Sequence, residues 1–144
     1  MSEDTALNVD LTLSLGYKHG FGAMSPFMRA LTEGRALASR CPKCGDVRFP
    51  PRRICLNDGT QTHEHLLDGT GTVVRLTIGS VPIPLSAPAQ EQIFAEVAMD
   101  GTDNRVLARL TGDPARLLAG AKVRLTPPPH TVPHPIQALV FEPY

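Results

Sequence analysis

Three cysteines lie close together in the sequence, and their spacing suggests a metal site. Cys41 and Cys44 belong to the stretch CPKCG, and Cys55 follows a basic stretch. A structural zinc ion takes four ligands, usually as two pairs from two tight turns. CPKCG supplies one pair, because the proline shapes the turn and Gly45 lets backbone amides approach the sulfurs. The second pair would be Cys55 and residue 58, which is Asp58.

The fourth ligand is the open question of this site. A carboxylate oxygen is an accepted zinc donor, although it is less common in structural sites. His63 or His65 could instead supply the fourth ligand. Alternatively, the cluster binds no metal and the thiols pack as small hydrophobic groups. A catalytic zinc is not expected, because three cysteines with an open water position are an unusual set. We predict a structural zinc with four ligands: Cys41, Cys44, Cys55 and Asp58.

Composition limits the class of protein. The chain has 144 residues, enough for one compact domain or two small ones, and its fourteen acidic residues balance fourteen basic ones. This neutrality argues against a general nucleic-acid or membrane-surface binder. No run of about 18 apolar residues exists, and the first ten residues lack the layout of a signal peptide. Because the cysteines are odd in number and clustered, we expect a soluble, cytoplasmic protein.

The elements around the cysteines are predicted to be a helix and two strands. Residues 1–24 are expected to be irregular and to lie extended on another surface. Ser25 is predicted as the N-cap of a short helix, with Pro26 at its first position and Gly34 at its end. The stretches ALASRC and VRFPP are expected to be strands on either side of CPKCG, and residues 56–70 a turn-rich connection.

From Gly71 onward the pattern becomes that of a small β-barrel. Strands are predicted at 72–81, 93–100 and 105–112, with a proline-rich loop after the first. A short helix is predicted at 115–120, and two last strands at 122–126 and 136–142. An OB-fold has this order, with its helix between the third and fourth strands.

Several longer stretches resemble one known family. They are the step Gly34-Arg35 into CPKCGDVRFPPRRIC, the barrel opening GTGTVVRLTIG, the segment VLARLTGDPARLLAGAKVRL and the ending ALVFEPY. Over residues 25–144 the chain resembles the domain-of-unknown-function-35 (DUF35) family. The resemblance implies a mostly β fold: an N-terminal helix and a rubredoxin-like zinc ribbon, followed by a five-stranded OB-fold barrel. The corresponding segments are 1–35, 36–68 and 69–144. This chain differs from the family pattern at position 58, where it has Asp58 and family members with an intact ribbon have cysteine.

The resemblance also implies a function. Members of the family are usually partners of thiolase-superfamily enzymes, including thiolases, hydroxymethylglutaryl-CoA synthases and steroid side-chain aldolases, whose own chain holds the catalytic residues. It therefore implies a non-catalytic accessory subunit in a hetero-oligomer of a degradation pathway. The complex would act on a bulky, aromatic or steroid-like β-ketoacyl-CoA or β-hydroxyacyl-CoA, with this chain buttressing or closing the acyl-CoA site. The candidates to bind CoA phosphates are Arg48, Arg52 and Arg53, although they could simply offset the charge of the thiolates.

The residues themselves offer no catalytic set. No G-x-S-x-G elbow, phosphate loop or dinucleotide fingerprint follows a predicted strand, so we expect no catalytic centre in this chain. Two other functions remain open. A nucleic-acid-binding OB module would need stacking aromatics and a basic groove, but the first three barrel strands offer only Phe94. A free-standing acyl-CoA binder is the other. Apolar residues before and within the helix, such as Tyr17 and Phe21, are expected either to dock on a partner or to pack on the ribbon.

Overall fold

The structure is a computed structural model, and it describes residues 7–81 and 89–144. Most of the proline-rich loop predicted after the first barrel strand lies outside these residues. The helices are a 3₁₀ turn Gly22–Met24, α1 (Ser25–Thr32), and two further 3₁₀ turns, Pro114–Arg116 and Pro135–Ala138. The strands are β1 (Ala36–Arg40), β2 (Val47–Arg48), β3 (His63–Leu67), β4 (Thr70–Val81), β5 (Gln90–Met99), β6 (Arg105–Leu110), β7 (Lys122–Leu125) and β8 (Val140–Pro143).

Helix α1 lies where the sequence predicts it, with a different N-cap. The capping position is Met24 and Ser25 is the first helical residue, because the preceding 3₁₀ turn runs directly into the helix. Its apolar stripe is buried, including Phe27 and Leu31. The helix is followed by a glycine with positive φ, Gly34, where an added Cβ would lie 2.6 Å from Pro127. This close approach holds the end of α1 against the connection between β7 and β8.

The ribbon is a three-stranded antiparallel sheet in the order β2-β1-β3. Its third strand corrects the prediction of a turn-rich connection at 56–70. The sequence of β3, HEHLL, has no β-branched residue and therefore a weak local strand signal. All five of its residues pair with β1, from Ala36 opposite Leu67 to Arg40 opposite His63. Hydrogen bonding to β1, which is distant in the sequence, therefore stabilises the strand conformation of β3 despite its weak local strand preference.

The second sheet closes into a five-stranded barrel. Its order is β4-β5-β6-β8-β7, with β7 paired back to β4, and every pairing is antiparallel except β6 with β8. Alternating residues along β5 and β6, such as Val97 and Val106, are buried. This confirms the predicted class: mostly β, with an N-terminal helix, a ribbon and a closed barrel of the OB type.

Two elements of the barrel differ from the prediction. The expected helix at 115–120 is a single 3₁₀ turn, which begins where the Asp113 carboxylate accepts a hydrogen bond from the amide of Ala115. The expected strand at 136–142 starts as another 3₁₀ turn and is extended only from Val140. There His134 Nδ1 accepts from the amide of Ile136, 3.2 Å away. In both places a side-chain cap followed by proline favours a turn.

The ribbon is joined to the barrel by hydrogen bonds from the loop between β5 and β6. The amide of Val47 donates to the Asp103 carboxylate (2.8 Å), and the amide of Asp103 donates to the Val47 carbonyl (2.9 Å). The Asn104 side chain accepts from the amide of Phe49 (3.1 Å) and donates to its carbonyl (2.8 Å). The loop therefore forms hydrogen bonds with backbone amide and carbonyl groups on the outer edge of β2, as a neighbouring strand would.

One buried core runs through all parts of the chain. It contains Phe27 and Leu31 of α1, Phe49 of the ribbon and Phe141 of the barrel, among other residues. The rings of Phe27 and Phe49 meet edge to face, with centroids 5.7 Å apart. The division at residues 35 and 68 stays a prediction, and the core is continuous across both positions. Among the described residues, no helix is long and apolar enough to cross a membrane.

Candidate metal centre

Four predicted ligands come together at the tip of the ribbon. The ligand atoms of Cys41, Cys44, Cys55 and Asp58 all lie within 4.8 Å of one another. The sulfurs of Cys44 and Cys55 are 3.5 Å apart, and Cys41 Sγ is 3.5 Å from Asp58 Oδ2. Zn–S bonds of about 2.3 Å in a tetrahedron give S···S edges of about 3.8 Å. The four donors are thus close to the edges of a zinc tetrahedron.

The first pair of donors lies on a tight turn formed by residues 41–46. The amide of Gly45 donates to the carbonyl of Cys41 (3.0 Å), and the amide of Cys41 donates to the carbonyl of Asp46 (2.9 Å). Gly45 has φ +80°, a conformation that glycine adopts without steric cost. The amide of Asp46 also bonds to the sulfur of Cys44 and is the main cause that lowers its pKa. Proximity of this amide favours the thiolate, which is the form that binds metal.

The second turn, residues 55–60, repeats the first bond for bond. The amide of Gly59 donates to the carbonyl of Cys55 (3.0 Å), and the amide of Cys55 donates to the carbonyl of Thr60 (2.8 Å). Gly59 has φ +71°. Asp58 occupies the place that Cys44 has in the first turn, and its Oδ1 accepts from the amide of Thr60 (2.9 Å). Asp58 therefore lies in a turn with the same hydrogen bonds as the turn that contains Cys44.

The protonation of the donors suits a divalent cation. The backbone amide and the side chain of Thr60 lower the pKa of Asp58 to about 2, so that its carboxylate is charged at neutral pH. The amide of Asn57 lowers the pKa of Cys55, but burial and the neighbouring thiol of Cys44 raise it to about 11. A metal ion bound here would displace the proton of that thiol.

The donor set fits a structural zinc ion. Three sulfurs and one carboxylate are ligands that zinc accepts, and they fill all four tetrahedral positions, as in closed structural sites. Cys41 and Cys55 are buried, whereas Cys44 is exposed. His63 and His65, the alternative fourth ligands, lie on β3 and do not belong to the group of four. The ion would join the two turns and so fix the tip of the ribbon. The assignment of individual ligands stays a prediction.

Replacing Asp58 tests its place in the donor set. We expect Asp58→Ala to weaken zinc binding by about 100-fold, since one of four ligands is lost from a site worth about 10–16 kcal/mol. Asp58→Cys should bind zinc more tightly than the natural chain, because a sulfur in this turn can also accept the Thr60 amide. Competition with a chromophoric chelator measures both. The control is Asp68→Ala, an exposed carboxylate outside the cluster. Unchanged affinity in Asp58→Ala would remove Asp58 from the ligands.

The three arginines predicted for CoA phosphates lie in different environments. Arg48 Nε is 2.8 Å from Asp46 Oδ2, and this carboxylate raises the pKa of the guanidinium. Arg52 and Arg53 are exposed and line a cleft of about 170 Å³ between the ribbon and the start of α1. The amide of Arg52 donates to the buried hydroxyl of Ser39 (2.9 Å), which fixes this part of the loop. Only two of the three therefore face a common space.

A second groove lies beside the barrel and was not predicted from the sequence. It has a volume of about 770 Å³ and lies along the proline-rich connection between β7 and β8. Its cationic side chains already have partners: Arg109 donates to the carbonyl of Gln137 (3.1 Å), and Arg124 lies 3.4 Å from the Glu142 carboxylate. His130, one of the two histidines of this connection, is also in the lining. The groove brings together residues far apart in the sequence, and no local pattern marks it.

Comparisons with known proteins support the resemblance seen in the sequence. Residues 28–64 match the family model of the ChsH2 rubredoxin-like zinc ribbon domain. This range includes both turns of the metal centre. No curated protein matches the sequence significantly.

Solved structures share the fold of the whole chain. A chain of the Ltp2-ChsH2(DUF35) aldolase superposes with a TM-score of 0.62 at 23% identity, covering 88% of this chain and 98% of that chain. A DUF35-family protein of unknown function from Sulfolobus solfataricus has a TM-score of 0.60 at 18% identity, covering 89% and 90%. Because these identities are low, the likeness concerns the fold. Residues 28–64 therefore match a rubredoxin-like zinc ribbon domain, and the chain as a whole shares the fold of these solved DUF35 structures.

Proposed function

We propose that this chain is a non-catalytic accessory subunit of a thiolase-type enzyme complex. The observation that carries the proposal is its likeness to a chain of the Ltp2-ChsH2(DUF35) aldolase, which it matches over 98% of that chain's length. The ribbon model matched at 28–64 is likewise that of ChsH2. The partner would be a thiolase-superfamily enzyme, in a hetero-oligomer with this chain.

The barrel surface is poorly suited to nucleic acid, the main rival ligand. A nucleic-acid groove needs free basic side chains and stacking aromatics. Here Arg75 Nε lies 2.6 Å from Glu96 Oε2, and Arg105 lies 3.6 Å from the same carboxylate. Strands β4–β6 contain a single aromatic residue, Phe94, within the part of the chain that the structure describes. The two arginines of this face thus share one carboxylate of the chain itself, which reduces the positive charge available to a nucleic acid.

The substrate of the complex would be a bulky, aromatic or steroid-like β-ketoacyl-CoA or β-hydroxyacyl-CoA. The cleft beside Arg52 and Arg53, at about 170 Å³, is smaller than the roughly 300–1,000 Å³ of typical ligand sites. It has room for a phosphate group, to which arginine is well matched. The acyl chain would therefore lie in the partner, and this chain would border the site.

A subunit that supports its partner's acyl-CoA site must also be rigid, and the contacts between ribbon and barrel make this chain rigid. The four hydrogen bonds from Asp103 and Asn104, together with the shared core, fix the position of the ribbon relative to the barrel. Pre-organised surfaces lose little entropy when they bind. We therefore infer that the chain presents a preformed surface to its partner's acyl-CoA site.

Affinity purification from source cells followed by reconstitution tests this function. We expect a thiolase-superfamily chain to co-purify in stoichiometric amount. The kcat/KM of that partner on its acyl-CoA should fall by at least about tenfold, or ~1.4 kcal/mol of transition-state stabilisation, when this chain is removed. A partner that stays fully active alone would contradict the proposal. Salt-dependent retention on single-stranded DNA, or tight CoA binding by the isolated chain, would favour the two rival functions instead.

A further inference from the structure

The N-terminal arm, defined here as residues 7–18, has an apolar residue at every second position. These residues are Leu7, Val9, Leu11, Leu13, Leu15 and Tyr17. The positions between them are polar or glycine: Asn8, Asp10, Thr12, Ser14, Gly16 and Lys18. In an extended strand, alternate side chains point to opposite faces. An extended arm thus has one continuous apolar face and one polar face.

The apolar face of the arm is not covered by the rest of the described chain. The relative exposure of its six apolar residues ranges from 70% at Val9 to 93% at Leu7. The arm has no helix, strand or turn assignment, and it does not belong to either described sheet. Single exposed apolar residues are ordinary, but a contiguous row of six marks an interaction surface.

The period of two points to a strand as the bound form of the arm. On a helix, residues two apart lie about 200° apart, so the same six side chains would divide between two opposite sides of the helix. That distribution gives no single apolar face to place on a membrane surface or in a groove for a helix. The arm carries one acid and one base, Asp10 and Lys18. Charge therefore adds little attraction to an anionic lipid surface.

Within the described residues, the arm pairs with no strand of its own chain. The barrel is closed, but β4 pairs with β7 only over residues 70–72, so its second half, residues 75–81, has a neighbouring strand on the β5 side alone. On the ribbon, the outer side of β2 is already bonded to the loop of Asp103 and Asn104. The outer side of β3 is five residues long, less than half of the arm. The second half of β4 is thus the alternative within the chain, but the arm leaves it unpaired and keeps its own apolar side chains exposed. These observations favour a strand partner from another molecule.

The arm is attached to the body at a defined place. Just after it, the Phe21 ring meets His134 edge to face, with centroids 5.3 Å apart. The His19 ring also meets the Phe21 ring edge to face, with centroids 4.9 Å apart. His134 belongs to the connection between β7 and β8. The arm thus leaves the body beside this connection and, at about 3.3 Å per residue, has a reach of roughly 35–40 Å.

We propose that the arm binds the partner enzyme by adding a β-strand to an exposed sheet edge, with its apolar face against a hydrophobic surface beside that edge. Main-chain hydrogen bonds would supply affinity and the alternating side chains specificity, as in other cases of strand addition. The proposal rests on the proposed function, since it names the element through which the accessory subunit contacts the thiolase-type chain. Binding through this face should depend weakly on salt, because the arm is nearly neutral.

Two matched double variants of the full chain test the proposal against the co-purifying partner. L11D/L13D places charges on the apolar face, and T12D/S14D places the same charges on the polar face. We expect L11D/L13D to weaken partner binding by at least about 100-fold and T12D/S14D by less than about threefold. Both variants should melt like the natural chain, because all four side chains are exposed. Hydrogen exchange of the complex should show protection at every second amide of the arm.

Each other outcome identifies a different partner for the arm. If L11D/L13D binds the partner as tightly as the natural chain does, the arm does not dock on it, and the proposal fails while the proposed function stands. If the natural chain self-associates and only L11D/L13D is monomeric, the arm pairs with a second copy, which also overturns the proposal. Arm protection in the isolated monomer would mean that it folds on its own body. If the natural chain binds no thiolase-type enzyme, the proposed function itself is wrong.

Discussion

Cys55→Ser should abolish stoichiometric zinc binding and lower the melting temperature by about 10 °C or more. The side chain of Cys55 is 3% exposed, and its sulfur is 3.5 Å from that of Cys44. The ribbon consists of strands of only two and five residues, so we expect its stability to depend on a zinc ion that would join its two turns. Structural zinc contributes about 10–16 kcal/mol in small zinc domains, and each kcal/mol lost shifts melting by about 2–4 °C at this chain length.

Metal analysis and calorimetry measure the effect, and the neighbouring residue provides a control. Leu56 is 69% exposed, so Leu56→Ser should retain one zinc per chain and the natural melting temperature. A strong chelator added to the natural chain should reproduce the melting of Cys55→Ser. If Cys55→Ser keeps both its zinc and its stability, Cys55 is not a ligand.

Phe49→Ala should destabilise the chain by about 3–5 kcal/mol, the usual cost of removing a buried aromatic side chain. Phe49 is 1% exposed, and its ring packs against Phe27 of α1. Its amide and carbonyl both bond to the side chain of Asn104. The substitution therefore leaves a cavity at the point where helix, ribbon and barrel meet.

Denaturant unfolding measures this loss, with Leu66→Ala as the control on the same sheet. Leu66 is 58% exposed, so its truncation should change the free energy of unfolding by less than about 0.5 kcal/mol. If the two variants were equally stable, Phe49 would not be part of a shared core.

The clustering of Cys41, Cys44, Cys55 and Asp58 was largely predictable from the sequence, because its signal is local. Each turn needs only two ligands three positions apart and a following glycine, and both C-P-K-C-G and C-L-N-D-G show this pattern. The recurrence of the same hydrogen bonds in both turns could not be predicted from the sequence, since it depends on backbone conformation. The barrel strands were predictable for a similar reason: their apolar residues alternate, and their β-branched content is high.

The features that escaped prediction depend on contacts between distant residues. Strand β3 has no local strand preference and forms because β1 lies beside it. The loop of Asp103 and Asn104 was expected only to connect two strands, and its bonds to β2 require the finished fold. The alternation at 7–17 is visible in the sequence. We predicted residues 1–24 to be irregular because LTLSLGYKHGFGAM has three glycines and mixed polarity, and residues 7–20 indeed have no helix or strand.

The continuity of the core has a consequence for how the molecule unfolds. Because α1 and Phe49 cover apolar side chains that also contact the barrel, the ribbon and the barrel should melt in one cooperative transition. Release of a single ion from the tip would then lower the thermal tolerance of strands on the opposite side of the molecule. For the same reason, a truncated chain that begins at residue 69 would expose the apolar patch now under α1 and would be prone to aggregate.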